Sequence, residues 1–441
     1  MRGMDASAHF RGKKITVMGL GLLGRGVGDA RYLAECGAEL VVTDLKSREQ
    51  LAASVAQLES FKNITFVLGE HRLEDFRSCD LVLKSADVPL GSIYIAEAKK
   101  NGIRVRMSAD LFMEIADIPT IGVTGTRGKS TVVHMVHAIL IEAGKKVLLG
   151  GNVRGVSTLA LLTEATSDHV ALLELDSWQC QGLGTAELSP RIAAFTTFLP
   201  DHMNYYRGDM DAYLADKANI FLYQEPDDVL VLGSQCAPTV IDAYGELIVA
   251  DIIVADEHKV PQDFPLRIPG RHNRYNAGIA LAVARAFGVT DDVSYRALAS
   301  FTGVPGRLEL VAEKAGVLFY NDTNSTTPDA TLAALEALDP AHTVLVMGGA
   351  DKGLAMEALL ARLPSVKKVI LLAGTGTDRL KDAFPESVSY DSLAAAGAAA
   401  LAAAAPGDTI LFSPAFASFG MFKNEFDRGD QFVHFVESLA P

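Results

Sequence analysis

A glycine-rich turn followed by polar residues is the first stretch of this sequence with the composition of a reactive site. It reads GVTGTRGKST over residues 122–131. Backbone N–H groups of residues 125–130 can surround the phosphates of a nucleotide, and Lys129 adds a positive charge. The hydroxyl of Ser130 or Thr131 is the kind of oxygen ligand that Mg2+ prefers. A turn that binds nothing is the alternative, but an apolar strand before it and a helix after it favour ATP binding.

The spacing of the glycines differs from that of the common phosphate loop. The pattern G-x-x-x-x-G-K-[ST] requires glycine at position 123, where this sequence has valine. The glycines are Gly122, Gly125 and Gly128, so the turn reads G-x-x-G-x-x-G-K-S. Phosphate binding is therefore predicted, while the spacing leaves open which chemistry the phosphate serves.

Further polar residues follow the next strands of the same region. Glu174 lies in the apolar run at 169–175, and Asp201 and His202 follow the run at 192–198. Carboxyl ends of parallel strands form the usual ligand-binding edge, where an acid can hold Mg2+. An ordinary surface acid is the alternative for Glu174, and His202 is singled out only by its place in this series. Lys217, in YLADKANIF, has the local context of a solvated helical side chain.

A second phosphate-binding pattern lies near the amino terminus. A short apolar strand is followed by Gly19, Gly21 and Gly24, a helical segment and a strand that ends at Asp44. This is the dinucleotide-type βαβ fingerprint, in which N–H groups at the helix start hold a diphosphate. A glycine-rich turn with nothing bound is one alternative. An NAD oxidoreductase is another, but it would not explain the second phosphate loop.

The composition is that of a folded, acidic protein. A length of 441 residues suggests three domains, at roughly 150 residues each. A net charge of −14 argues against nonspecific binding to nucleic acid or to a membrane surface. The four cysteines include no C-x-x-C pair, and Cys36 and Cys79 are expected to be reduced core residues. With no signal-peptide stretch and no membrane-length apolar run, a cytoplasmic protein is expected. It is also expected to be a monomer.

Short apolar runs bounded by glycine and polar residues predict an α/β fold in three domains. Strands are expected at 64–69, 80–85, 169–175, 192–198, 228–233 and in three later runs, HTVLVMGG, KKVILLAG and DTILFSPA. The Ala-rich run at 393–405 is expected to be a helix packed on a sheet. The predicted domains are a Rossmann-like domain at 1–107, a P-loop ATPase-type domain at 108–303 and a Rossmann-like domain at 304–441.

Taken in order, the motifs resemble those of the Mur ligase family. They are GVTGTRGKST, LELDSWQ, DHMNYY, DAYLADKANIF, GRHNRYNA, GRLEL, YNDTNSTTPDATLAAL, VMGGADKG and SPAFASFGMFKNEFDRGDQF, and they extend over nearly the whole chain. Each motif is modest alone, whereas their order and spacing are highly specific. The family uses the G-x-x-G-x-x-G-K-[ST] form of the loop. The chain length resembles that of the members that add glutamate to UDP-N-acetylmuramoyl-L-alanine.

The resemblance implies an ATP-dependent ligase of peptidoglycan precursor synthesis. The three domains would bind the UDP-sugar, ATP and the incoming glutamate, with D-glutamate favoured. The substrate carboxylate would attack the γ-phosphate of ATP, and the amine of glutamate would then displace phosphate from the acyl phosphate. A Mur or folylpolyglutamate-type ligase with another amino acid, such as L-glutamate, or another acceptor is the alternative. An inactive nucleotide-binding homologue is a third possibility.

Carried onto this chain residue by residue, the resemblance assigns roles throughout. The residues expected at ATP are Gly125, Thr126, Gly128, Lys129, Ser130, Thr131, Asn276, Arg307 and Asp322. Those expected at the UDP-sugar are Leu20, Asp44, Lys46 and Asn152, and those at the incoming amino acid are Thr326, Lys352 and Ser418. Lys129, Glu174, His202 and Lys217 would be catalytic. Two Mg2+ ions would be held by Ser130, Glu174, His202 and a carbamylated Lys217, which reverses the local interpretation of that lysine.

Four features depart from the pattern of the glutamate-adding members. Asn324 stands where a lysine is usual, Arg154 where a glycine is usual and Asp176 where a serine is usual. The segment KSADVP, residues 84–89, lacks the family's S-P-G turn. These departures leave open the identity of the amino acid and the details of UDP-sugar binding.

Overall fold

The protein, seen in a computed structural model, folds into three α/β sheets. Residues 6–22, 24–86, 88–153, 155–380, 384 and 388–439 are described. The chain divides into two compact units, Met1–Gln262 with Tyr275–Ala297 and Asp263–Arg274 with Leu298–Pro441. The first unit contains the first two sheets and the second unit contains the third. The predicted α/β class is confirmed, and the domain boundaries at 107 and 304 stay predictions.

The first sheet is parallel throughout, with strand order β3-β2-β1-β4-β5. Its strands are short apolar runs, and β1 and β4 are buried on both faces as strands covered by helices must be. The order is that of a Rossmann-like domain, as predicted. Its elements are β1 (Lys14–Met18), α1 (Arg25–Glu35), β2 (Glu39–Asp44), α2 (Ala52–Ala56), β3 (Ile64–Leu68), β4 (Leu81–Lys84), α3 (Ile93–Lys100), β5 (Arg104–Arg106) and α4 (Ser108–Ala116).

The second sheet is also parallel and has the order β11-β10-β9-β6-β8-β7. Its central strand β6 is completely buried between β9 and β8. The elements of this region are β6 (Thr120–Thr124), α5 (Lys129–Glu142), β7 (Lys146–Gly151), β8 (His169–Glu174), α6 (Ser177–Ala186), β9 (Ile192–Phe195), α7 (Met203–Tyr206), α8 (Met210–Ala218), β10 (Val229–Gly233), α9 (Ala237–Tyr244), β11 (Asp251–Ala255), α10 (Arg271–Ala286) and α11 (Asp291–Ser300).

The third sheet has the order β12-β13-β17-β14-β15-β16, and β12 pairs antiparallel to β13 while the other strands are parallel. The antiparallel pair is joined by a tight turn, which no parallel pair allows. The elements are β12 (Glu309–Lys314), β13 (Val317–Asn321), α12 (Pro328–Ala337), β14 (Thr343–Gly348), α13 (Glu357–Arg362), β15 (Lys368–Leu372), α14 (Thr375–Asp378), β16 (Ser389–Tyr390), α15 (Leu393–Ala403), β17 (Thr409–Phe412) and α16 (Glu425–Ser438).

The Ala-rich run forms a helix against the third sheet, as predicted. Leu393, Ala396 and Ala400 of α15 are buried in one cluster with side chains of β14 and β15. Small side chains let a helix approach a sheet closely. None of the four cysteines, all within the described residues, forms a disulfide bond, and Cys36 is buried while Cys79 is partly buried. Among the described residues, no helix combines the length and the apolar character that crossing a membrane would require.

Candidate active site

The glycine-rich turn connects β6 to α5 at the carboxyl edge of the second sheet. Gly125 and Gly128 both have positive φ, +140° and +87°. A Cβ at Gly125 would overlap Thr196 Oγ1, and one at Gly128 would overlap Asn276 Oδ1 of α10. The two glycines are therefore required both by backbone conformation and by the close approach of neighbouring elements. The turn brings Asn276 next to the start of α5, where both are predicted to meet ATP.

Two N–H groups of this turn are already used within the protein. The N–H of Thr126 donates to Thr197 O at 2.7 Å, and that of Arg127 donates to Thr197 Oγ1 at 2.9 Å. Within residues 125–130, fewer N–H groups are therefore left to bind phosphate than the sequence predicted. Those at the first turn of α5 have no acceptor within the helix, and the helix dipole favours an anion there.

Two lysines converge on one carbonyl oxygen of the turn. Lys129 Nζ donates to Gly125 O at 2.9 Å, and Lys217 Nζ donates to the same oxygen at 3.0 Å. Lys217 is 1% exposed and lies 4.9 Å from the centroid of the Tyr213 ring. Burial, reinforced by the charge of Lys129, lowers the pKa of Lys217 to about 7. The local expectation of a solvated lysine is therefore wrong.

Glu174 ends β8 and His202 lies after β9, the two strands on either side of β6, at the sheet edge that the series of motifs predicts. Glu174 is the last residue of β8, is 4% exposed and pairs with Val123 of β6. His202 follows β9 and has a φ of +54°, an uncommon backbone conformation for a residue other than glycine. Burial lowers the pKa of His202, and Lys129 and Lys217 add to the shift. A neutral imidazole is the form that binds a metal ion.

Whether a metal ion fits depends on the ligand atoms that Glu174, His202 and Lys217 can supply. Among the described residues, no group of three or more His, Cys, Asp or Glu side chains is close enough to hold a metal ion. Glu174 supplies a buried carboxylate and His202 a neutral nitrogen, while an unmodified Lys217 supplies neither. The set fits Mg2+ if Lys217 gains a carboxylate and phosphate oxygens complete the ligands, because Mg2+ is bound by few protein groups together with substrate phosphates.

A cavity of about 480 Å3 in the first unit joins the two phosphate-binding patterns. Leu20, Lys46 and Asn152, all predicted at the UDP-sugar, line it together with Lys129 and His202, which are predicted at ATP and metal. Because its walls come from the carboxyl edges of both sheets, an extended substrate can reach from one glycine turn to the other. The cavity therefore connects the two glycine-rich turns, which lie about 100 positions apart in the sequence.

Asp44 supports the amino-terminal turn through both of its carboxylate oxygens. Its Oδ2 accepts from the N–H groups of Leu20 and Gly21 at 3.0 and 3.1 Å, and its Oδ1 accepts from the N–H of Lys46 at 2.9 Å. Asp44 is 4% exposed. The diphosphate-binding N–H groups expected in this turn are thus partly used by Asp44. The loop conformation depends on this carboxylate, while ligand contact by Asp44 stays a prediction.

Three loops of the second unit bring together the residues predicted at the incoming amino acid. Lys352 Nζ donates to Thr326 Oγ1 at 2.9 Å. The N–H of Ala350 donates to Ala417 O at 2.9 Å, which holds the loop of Lys352 against that of Ser418. A cation and two hydroxyls at adjacent strand ends suit an anionic amino acid.

Asn324, the departure from the expected lysine, is bonded to the turn that precedes Arg307. Its N–H donates to Gly306 O at 3.0 Å and its Nδ2 donates to Pro305 O at 3.3 Å. Arg307 itself is exposed and available to a ligand. Asn324 therefore stabilises the turn that carries Arg307, a residue predicted to contact ATP. The sequence alone did not indicate this connection.

Asp322, predicted to contact the nucleotide, has both carboxylate oxygens in hydrogen bonds within the protein. It is buried, its Oδ1 accepts from the N–H of Leu308 at 3.0 Å, and its Oδ2 accepts from Ser413 Oγ at 2.7 Å. Burial raises its pKa to about 6. Both oxygens therefore join loops of the third sheet in this structure, and a contact with ATP stays a prediction.

The remaining departures have different outcomes. Asp176 is the N-cap of α6, where it accepts from the N–H of Gln179 at 2.8 Å in a reciprocal capping box. An aspartate fulfils that role as well as a serine does. Arg154 and, within the 84–89 segment, Asp87 lie outside the described residues.

Among the side chains that line the cavity and that sequence reasoning missed are Arg25, Asp29 and Trp178. Arg25 directly follows the last glycine of the amino-terminal turn, and Asp29 is one helical turn further on the same face, a spacing that could have indicated both. Trp178 lies 4.8 Å from the His202 ring, centroid to centroid. Its place inside the LELDSWQ motif was the available signal.

Replacing Asp29 by asparagine should change how stability depends on pH. Asp29 is 8% exposed, its Oδ1 accepts from the Ser108 and Ser157 hydroxyls, and burial raises its pKa from 3.8 to about 6. A folded pKa above the unfolded one gives stability that is complete below 3.8 and lost as pH rises through 6. The Asp29→Asn variant lacks this loss, so its stability relative to the parent should rise between these pH values by about 3 kcal/mol.

The measurement is the midpoint of thermal unfolding for both proteins from pH 4 to 7. Asp292→Asn, at an exposed aspartate of α11, is the matched control and should show a constant difference. A constant difference for Asp29→Asn as well would show that the pKa of Asp29 is the same in the folded and the unfolded protein.

Comparison with known proteins places the whole chain in one class. Family models match residues 13–107 (Mur ligase MurD-like, N-terminal domain), 123–244 (Mur ligase middle domain) and 306–416 (Mur ligase, glutamate ligase domain). With relatives at over 30% identity along nearly its full length, the chain belongs to the Mur ligase family. The resemblance seen in the motifs is confirmed.

Several curated relatives carry the name UDP-N-acetylmuramoylalanine--D-glutamate ligase. The protein of that name from Roseiflexus sp. is 39% identical over 98% of this chain and 100% of its own. Those from Borreliella afzelii and Streptococcus sanguinis are 35% and 34% identical, covering 96% and 99% of this chain and 97% and 100% of theirs.

Solved structures share the fold. UDP-N-acetylmuramate-alanine ligase MurC from Thermotoga maritima superimposes with a TM-score of 0.61 at 18% identity, over 97% of this chain and 99% of its own. MurF ligase from the same organism, in complex with ADP, gives a TM-score of 0.58 at 16% identity, over 99% and 98%. At these identities the likeness establishes the architecture alone.

Proposed function

We propose that the protein is an ATP-dependent ligase that joins D-glutamate to UDP-N-acetylmuramoyl-L-alanine in peptidoglycan precursor synthesis. The observation that carries the proposal is the single cavity lined by Leu20, Lys46 and Asn152 together with Lys129 and His202. A UDP-sugar held at the first turn extends its alanyl carboxylate towards the phosphate loop. The relatives that match this chain along its full length are named for this reaction.

The domains divide the substrates in the proposed reaction. Residues 1–107 bind the UDP-sugar, residues 108–303 bind ATP, and residues 304–441 bind glutamate through Thr326, Lys352 and Ser418. Asn276 and Arg307 contact the nucleotide. Linkers near 107 and 304 allow these parts to move, which suits a site that admits three substrates and then excludes water from a reactive intermediate.

The chemistry proceeds in two steps because a free carboxylate is a poor acylating agent. The alanyl carboxylate attacks the γ-phosphorus of ATP, giving an acyl phosphate and ADP. The glutamate amine then attacks the acyl carbon, and phosphate leaves as the peptide bond forms. Lys129 and the first turn of α5 hold the phosphates during the first step, and the hydroxyls of Ser130 and Thr131 lie at the same helix start.

Carbamylation of Lys217 completes the site. A neutral amine attacks carbon dioxide, and a pKa of about 7 keeps much of this amine neutral under ordinary conditions. The resulting carboxylate joins Glu174 and His202 as a third donor. Two Mg2+ ions held there, with Ser130, would supply the positive charge that lets the carboxylate approach the triphosphate.

The proposal includes the setting in which the protein works. We infer a cytoplasmic monomer, and the net charge of −14 supports the absence of binding to nucleic acid or membrane surfaces. Its partners are then its three substrates alone.

The test is an amino-acid panel. The purified protein is incubated with ATP, Mg2+, UDP-N-acetylmuramoyl-L-alanine and labelled D-glutamate, L-glutamate, L-alanine or L-lysine, and product is followed together with phosphate release. Product and phosphate are expected with D-glutamate and only when the UDP-sugar is present. Product with another amino acid would change the assigned substrate, and phosphate release that needs neither substrate would contradict the ligase.

Replacing Asn324 by alanine should weaken the use of ATP more than that of glutamate. The side chain bonds the turn preceding Arg307, and losing one such bond costs about tenfold in the KM for ATP. Steady-state kinetics with each substrate varied in turn measures the KM for ATP and the KM for glutamate separately. An Asn324→Ala variant whose KM rises for glutamate and not for ATP would place residue 324 in the amino-acid pocket instead.

A further inference from the structure

Arg25 and Asn152 meet across the cavity of the first unit. Arg25 is the first residue of α1, and Asn152 directly follows β7. Arg25 Nη1 donates to Asn152 Oδ1 at 2.6 Å, and both residues line the cavity. The contact joins the amino-terminal turn to the edge of the second sheet, near the place where the acceptor end of a UDP-sugar must lie.

The partner fixes which way the amide of Asn152 points. A guanidinium has five N–H donors and no acceptor, so only the amide oxygen can face it. The two ends of an asparagine amide look alike in shape, and the hydrogen-bond partner decides between them. With Oδ1 held by Arg25, the part of the amide that remains for a ligand is Nδ2, a donor.

The two residues are held in place by their surroundings. The N–H of Asn152 donates to Glu174 O at 2.7 Å, which fixes its backbone at the end of β8. Arg25 lies one helical turn before Asp29, whose carboxyl accepts from Ser108 and Ser157 hydroxyls. A guanidinium one turn from a carboxylate on the same helix face is electrostatically favoured.

We propose that Arg25 is a positioning residue that sets the Asn152 amide as a hydrogen-bond donor to a carbonyl or carboxylate oxygen in the muramoyl-alanine part of the acceptor. This inference rests on the function proposed above. It makes Arg25 a determinant of acceptor binding that acts through Asn152 and does not touch the diphosphate. In this orientation Nδ2 of Asn152 donates to the substrate oxygen, whereas a flipped amide would place Oδ1 against that oxygen.

The test compares Arg25→Leu, Arg25→Lys, Asn152→Ala and the double variant Arg25→Leu/Asn152→Ala in the full-length protein. In Arg25→Leu the KM for UDP-N-acetylmuramoyl-L-alanine should rise about tenfold, the effect of one charge-assisted hydrogen bond, while the KM values for ATP and D-glutamate stay unchanged. Arg25→Lys keeps a donor and should recover most of the affinity. In the Asn152→Ala background, Arg25→Leu should add nothing further.

Binding of UDP alone, measured by calorimetry, separates this role from a direct one. UDP lacks the muramoyl-alanine part, so Arg25→Leu should bind it as the parent does. Weaker UDP binding would show that Arg25 holds the diphosphate, and an unchanged KM or fully additive effects in the double variant would also overturn the proposal. Failure of the parent to use the UDP-sugar at all would instead contradict the proposed function.

Discussion

Lys217→Ala is expected to lower the rate of glutamate-dependent phosphate release about a thousandfold. Metal-assisted charge stabilisation is worth several kcal/mol, and about 4 kcal/mol corresponds to this factor. The side chain is 1% exposed, and its Nζ bonds Gly125 O within the phosphate loop. Its loss removes both that contact and the carboxylate that carbamylation would supply. The measurement is phosphate release with all three substrates at saturation.

Adding a short carboxylic acid separates the loss of the contact with Gly125 O from the loss of the carboxylate. Formate or acetate can enter the space left by the lysine and restore a carboxylate there, so partial recovery of Lys217→Ala is expected. Lys62→Ala, at an exposed lysine of the first sheet's surface, is the control and should behave as the parent with and without the acid. Full activity in Lys217→Ala without any addition would refute the catalytic role. Mass spectrometry of the parent in bicarbonate, which should reveal one added carbon dioxide, tests the modification directly.

Gly128→Ala is expected to lower kcat/KM for ATP about a hundredfold, since small misplacements near the reacting groups cost this much. The new Cβ would overlap Asn276 Oδ1 and lie 3.3 Å from its Cγ, so the turn, α10 or both must move. The backbone at residue 128 also has a φ of +87°, which an alanine adopts only at a cost of about 1 kcal/mol.

The same helix offers a matched control. Gly144 follows the carboxyl end of α5, has a φ of +70°, and a Cβ there would meet nothing within 4 Å. Gly144→Ala therefore carries the backbone cost without the clash. Both variants should lose thermal stability, Gly128→Ala more than Gly144→Ala because of the clash, while only Gly128→Ala should lose ATP affinity, measured by calorimetry. Equal ATP affinity in the two variants would contradict the proposed contact between the loop and α10.

The phosphate loop and the strand-end residues could be predicted because their signals are local. A strand, three glycines and a helix specify the turn at 122–131, and the carboxyl ends of adjacent parallel strands must meet at one edge. Glu174 and His202 could thus be placed at the same edge of the sheet as the loop without knowledge of the side-chain geometry. The first sheet followed in the same way from its strand, turn and helix.

The roles of buried carboxylates could not be predicted in this way. Asp44 stood at the position of a ligand-binding acid, yet its oxygens accept from three backbone N–H groups of its own neighbourhood. Asp322 is used similarly by Leu308 and Ser413. Whether a carboxylate faces a ligand or the backbone depends on how loops distant in sequence fold against it, and residue type does not reveal that.

Lys217 shows that the sequence pattern of a helix does not always predict which of its side chains are buried. A lysine on a helix is usually solvated, and nothing within YLADKANIF marks it as buried. Its burial comes from Tyr213 on its own helix and from the phosphate loop, which lies about 90 positions earlier in the chain. Only the resemblance of the whole series of motifs indicated its role.

The placement of Trp178 gives the protein an optical reporter of its own. It is the chain's one tryptophan, its ring lies against that of His202, and its indole borders the cavity. Emission from this single residue is sensitive to charge arriving within a few ångströms. The proposed binding of nucleotide and metal can therefore be followed in real time by fluorescence, with no label attached and no competing tryptophan signal to subtract.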